Sequence, residues 1–160
     1  MRLPTLLASL TLLLPATALA QATAETGQRQ FHIATVHLDG VTGIAASPAH
    51  PAEAFPTAAM PPGGGLLLSP PDAEGNWRFR AFVFQPAQLV IRQGETVTLT
   101  FMGVQGSTSR IEVEGQGEPF TLHRGEMRNV TLTADRPGVI AYRSLDHMPS
   151  MTGEILVLPR

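Results

Sequence analysis

The sequence predicts an all-β fold, an antiparallel Greek-key β-sandwich, and three observations carry that expectation. From Trp77 onward apolar and polar residues alternate with a period of two, as they do in strands with one buried face. Turn signals punctuate the alternation, at Gln93-Gly94 and at Arg136-Pro137-Gly138 among others. No amphipathic helical period and no internal repeat interrupts it. Short alternating strands joined by tight turns close into a sandwich or a barrel.

Taken in order, the chain falls into three parts. Residues 1–20 begin with Met1-Arg2, pass through an apolar run from Leu6 to Leu14, and end in Ala-Thr-Ala-Leu-Ala at Ala20. A positive start, an apolar stretch too brief for a bilayer and a small-residue exit predict a secretory signal peptide cleaved after Ala20. The mature chain is then expected to begin at Gln21, to carry no membrane span and to reside in the periplasm. Residues 21–76 hold one strand-like phrase, "QFHIATVHL", followed from Val41 to Gly75 by an irregular arm dense in Pro, Gly and Ala. Within that arm "MPPGGG" lacks the Lys and the following helix of a phosphate cradle, which leaves a flexible or surface-hugging extension.

Residues 77–160 are the predicted sandwich. "WRFRAFVF" places Trp77, Phe79, Ala81 and Val83 on one face and Arg78 and Arg80 on the other. "QLVIRQGETVTLTF" turns at Gly94 and then alternates Val97, Leu99 and Phe101 with threonines. "SRIEVEG", "NVTLTA", "VIAYRS" and "GEILVL" supply the remaining strands, for seven or eight in all. The expected core comprises Trp77, Phe79, Val97, Leu99, Phe101, Ile111, Leu132, Tyr142 and Ile155, with a hydrogen-bond partner required for the Tyr142 hydroxyl if it is buried.

Composition removes several classes of function. The sequence has no cysteine, which excludes disulfides, thiol catalysis, Cys-ligated zinc, iron–sulfur clusters and thioether-linked haem. Every basic residue is Arg and the net charge is −2, so no nucleic-acid or polybasic membrane partner is expected. A mature chain of about 140 residues suits one domain with an adequate core.

The order of the phrases resembles the cupredoxin family, which includes plastocyanin, azurin and the copper domains of oxidase-type enzymes. The resemblance rests on "FQP" at 84–86, "QLVIRQGETVTLTF", "SRIEVEG", "RGEMRNVTLTADRPGVIAYRS" and the closing "DHMPSMTGEILVL". It covers Trp77 to Leu158. A blue copper site takes two imidazoles and one thiolate in a plane, with a weak axial thioether. Carried over position by position, the resemblance assigns the loop His to His147 and the axial Met to Met151. Ser144 stands at the Cys position and Ser109 at the mid-chain His position. All four are expected to converge at one end of the sandwich.

A serine hydroxyl is a hard donor that stays protonated at neutral pH, whereas soft thiolate selects copper and gives the blue band. The resemblance with this departure implies a degenerate type 1 copper site. It points to a non-enzymatic binding or accessory module in periplasmic copper or respiratory metabolism, with a protein partner and no resident cofactor. Two alternatives stay open. One is a weak Cu(I) carrier using His147, Met151 and, as a third soft ligand, Met148; the other is a copper electron carrier with an unorthodox centre.

Other residues have plainer readings. His32 and His37 are five apart on a strand and so face opposite ways; His50 lies in the arm and His123 in a turn. For these four a structural or solvated role is expected. Ser144, Asp146 and His147 carry the letters of a hydrolase triad, but sit on one tight loop without a Gly-x-Ser-x-Gly elbow. Glu112 and Glu114 read as a solvated strand face and "NVT" at 129–131 as strand rather than glycan acceptor. Met127, Met148 and Met151 read as core or rim packing rather than a methionine copper relay.

Overall fold

The computed structural model describes residues 28–42 and 53–160. The signal peptide read at 1–20 and His50 lie outside the described residues. Among the described residues ten strands form two five-stranded sheets: β1 Arg29–Thr42, β2 Leu66–Ser69, β3 Trp77–Gln85, β4 Gln88–Arg92, β5 Thr96–Met102, β6 Thr108–Val113, β7 Phe120–His123, β8 Met127–Thr133, β9 Gly138–Ser144 and β10 Thr152–Leu158. The first sheet runs β2-β3-β1-β5-β8 and the second β4-β10-β9-β6-β7. Among the described residues there is no helix, so none long and apolar enough to cross a membrane.

Each sheet is mixed. β1 pairs in parallel with β5, and β10 in parallel with β4, while all other pairs are antiparallel. Parallel neighbours need a long connection between them. Both pairs satisfy this, because the chain leaves each sheet and returns after building strands elsewhere. The strand count exceeds eight because the segment before Trp77 contributes β1 and β2 to the first sheet.

The core lies between the sheets, where Ile33, Phe84, Val97, Leu99, Phe101 and Leu132 meet Ile111, Tyr142, Ile155 and Val157. Phe84, Phe101 and Tyr142 form a ring cluster with centroids 5.2–5.9 Å apart. The Tyr142 hydroxyl donates to the Pro86 carbonyl at 2.9 Å, which supplies the partner that burial demands.

One face assignment is corrected. On β3 the core side chain is Phe84, with Phe82 packed at its edge, and neither Trp77 nor Phe79 belongs to the core cluster. The reason is an overhang. β1 pairs with β5 only from Arg29 to Ala34 and with β3 from Ala34 to Thr42, so its second half extends past the sandwich. The face that carries Phe84 and Phe82 inside the sandwich therefore carries Arg80 and Arg78 beyond it, where Arg80 pairs with Asp39. Trp77 is buried on the reverse face against Phe55 and Phe79, and Phe79 is 37% exposed.

Candidate functional site

Two strand ends and one loop assemble the site. Ser109 lies near the start of β6, Ser144 ends β9, and Leu145–Met151 connects β9 to β10. Ile111 stands opposite Ser144 in the ladder, which puts Ser109 one diagonal step from Ser144 on the same inward face. The loop returns at once, with the Met151 amide donating to the His147 carbonyl and the Ser144 amide to the Met151 carbonyl. Asp146 fixes its outer side by accepting from the Arg110 amide at 2.7 Å.

Ser109, Ser144, His147 and Met151 thus come together at one end of the sandwich. Ser144 Oγ lies 3.1 Å from His147 Nδ1, and Ser109 Oγ donates to Met151 Sδ at 3.9 Å. Ser109, Ser144 and Met151 are all buried, with exposures of 3%, 0% and 1%. Two buried hydroxyls without partners would each cost a desolvation penalty. Here each hydroxyl finds its partner in the adjacent imidazole or thioether.

The outer edge of the site was not legible as a site. The His147 ring stacks on Phe82, with centroids 4.1 Å apart and planes 18° apart, and His37 meets the same Phe82 edge-on at 4.5 Å. Burial lowers the pKa of His147, opposed by the Asp146 carboxylate and reinforced by His37. Burial also lowers that of His37, where Arg80 and Arg124 act in the same direction and Asp39 against it. His37 Nε2 is buried without a hydrogen-bond partner. His32 lies on the opposite face of β1 and is exposed, as is His123 at the end of β7.

The arm contributes as well. Gly63–Gly65 crosses the loop as a strap: the Gly65 amide donates to the Met148 carbonyl at 2.9 Å, and the Phe82 amide donates to the Gly65 carbonyl. Ser150 Oγ bonds both the Gly65 and Phe82 carbonyls, at 2.7 and 2.8 Å. Only glycine permits this approach. A Cβ on Gly63 would sit 2.6 Å from Met148 O, one on Gly65 would overlap His147 O, and Gly63 and Gly64 have φ of 126° and 77°. Three successive glycines were the available signal for such a close backbone crossing.

A type 1 copper ion does not fit these residues. The sequence contains no thiol, the one imidazole among the four converging residues has its Nδ1 taken by Ser144, and the thioether is fully buried against Ser109. Among the described residues no three His, Cys, Asp or Glu side chains cluster as a metal site. Met148 is half-buried under the strap, where its carbonyl accepts from the Gly65 amide. Glu112 pairs with Arg143 on the outer face.

Comparison with solved structures gives the class of fold. The chain is similar to a copper nitrite reductase from Nitrosomonas europaea, with a TM-score of 0.53 and 17% identity over 83% of this chain and 42% of that one. It is also similar to a Cu-containing nitrite reductase from Thermus scotoductus, with a TM-score of 0.50 and 20% identity over 84% of this chain and 28% of that one. The fold is cupredoxin-like. The chain spans less than half the length of either structure. No family model and no curated protein matches the sequence.

Proposed function

We propose that the chain is an exported, non-enzymatic cupredoxin-like module that serves periplasmic copper or respiratory metabolism by binding a partner protein. In this reading the type 1 copper site has become a closed polar joint. The observation that carries it is the pairing of both buried hydroxyls with the two remaining ligand-type side chains, Ser144 with His147 and Ser109 with Met151. A joint whose polar groups satisfy one another holds the loop in place without a metal. It offers no soft anionic donor to a redox-active copper. The leader pattern at 1–20 supports export.

The test is to add Cu(II) to the purified protein and follow both the visible spectrum and electron transfer from an artificial donor to nitrite or oxygen. The expected result is no intense visible band and no turnover above that of free copper. Copper-dependent turnover by the folded protein would overturn the non-enzymatic reading.

A further inference from the structure

The outer face of the first sheet, on the opposite side from the core, carries a ladder of side-chain pairs between β5 and β8. Thr96 pairs with Thr133 at 2.9 Å and Thr98 with Thr131 at 3.4 Å, and Thr100 donates to Asn129 Oδ1 at 2.8 Å. The next rung in register is Met102 opposite Met127. There the hydroxyl and amide ladder ends and two thioethers replace it. Directly opposed residues of an antiparallel pair stand about 5 Å apart at Cβ, so the two sulfurs can reach a common point.

β1 adds a third column to this face. Gln30 stands opposite Thr98 in register, yet its Nε2 reaches one step forward to donate to Thr100 at 2.7 Å. The row Gln30–Thr100–Asn129 is therefore bridged diagonally from β1 and directly across to β8. Advancing two residues along β1 and β5, with the matching step on β8, gives His32–Met102–Met127. His32 itself stands opposite Thr100 in register, and the residue directly opposite Met102 is Ala34, whose small side chain leaves room for a diagonal reach from His32 like that of Gln30 to Thr100. Met127 is 72% exposed and His32 is exposed, so the rim packing expected of Met127 is not what the structure shows.

We propose that His32, Met102 and Met127 form a surface site for a soft monovalent cation, Cu(I), with Ag(I) as its redox-inert stand-in. Neutral thioethers are poor ligands for Ca²⁺, Mg²⁺ or Zn²⁺ and favour Cu(I), and a neutral imidazole completes a three-donor set. The exposure of the site lets the ion pass to and from a partner, which the 1% exposed Met151 does not. The site uses none of the residues of the closed joint. It goes beyond the accessory role proposed above by giving that role a cargo.

The experiment is an anaerobic titration of the purified protein with Cu(I) held by a chromophoric chelator, paired with an Ag(I) titration observed through the methionine methyl resonances. One equivalent of Cu(I) is expected to transfer, with the Met102 and Met127 methyls shifting and that of Met151 unmoved. Met127→Leu and His32→Gln should each weaken Cu(I) binding at least tenfold while circular dichroism stays unchanged, and His147→Gln should leave the affinity as it was. Failure to draw Cu(I) from the chelator, affinity unaffected by Met127→Leu, or affinity lost with His147→Gln would each overturn the site. None of these outcomes bears on the turnover measurement that tests the non-enzymatic reading.

Discussion

Each polar side chain in the joint has one partner, the neighbouring His37 has none at Nε2, and the burial of the two imidazoles sets how the protein responds to acid. Burial holds the pKa of both His37 and His147 below the ordinary value. A group depressed in this way binds its proton more readily in the unfolded chain than in the folded one. Its contribution to stability is therefore complete above the unfolded pKa and is lost as pH falls through the folded value. Urea midpoints are expected to be flat through neutrality and to decline once pH drops below about 6.5, the unperturbed histidine value. His37→Gln should flatten that decline, because it removes one of the two depressed groups. A midpoint that holds steady from neutrality down to the carboxylate range would contradict the burial of both rings.

At the scale of elements, the strap is the feature that fixes the loop. Gly65 is not in the left-handed region, so the demand for glycine there is purely steric: the His147 carbonyl occupies the volume of a side chain. Gly65→Ala is expected to cost about 1–3 kcal/mol, the usual penalty for forcing an extra methyl into a packed contact. The damage should be local. Hydrogen exchange of the Met151 amide, which is bonded to the His147 carbonyl, should speed up, while the β5 and β8 amides keep their protection. Equal acceleration across all strands would mean that the strap supports the whole sandwich rather than the loop.

Elements also mark where the sequence could be read and where it could not. Alternation in Val97, Leu99 and Phe101 revealed a buried strand face because that strand lies wholly within the sandwich. The same alternation misassigned β3, since Arg78 and Arg80 share a face with Phe82 and Phe84 and only the overhang separates their surroundings. The convergence of Ser109 with Met151 was legible only through the resemblance to a known family. The Phe82–His147 stack and the Gly65–Met148 crossing left no periodic trace, because each joins segments more than sixty residues apart.

For the molecule as a whole, the cupredoxin-like sandwich supplies the frame and the four converging residues supply the question. On the proposed function, Ser109 and Ser144 occupy former imidazole and thiolate positions, with His147 and Met151 still in place around them. Restoring the donors is the most direct measurement: the double variant Ser109→His/Ser144→Cys is purified, shown by circular dichroism to keep its strands, and mixed with Cu(II). Two imidazoles, one thiolate and a thioether around one ion form a blue copper centre. The double variant is expected to develop an intense visible thiolate-to-copper band at one equivalent, Ser144→Cys alone a weaker one, and the wild type none. A folded double variant that stays colourless with Cu(II) would contradict the claim that these positions surround a single former metal site.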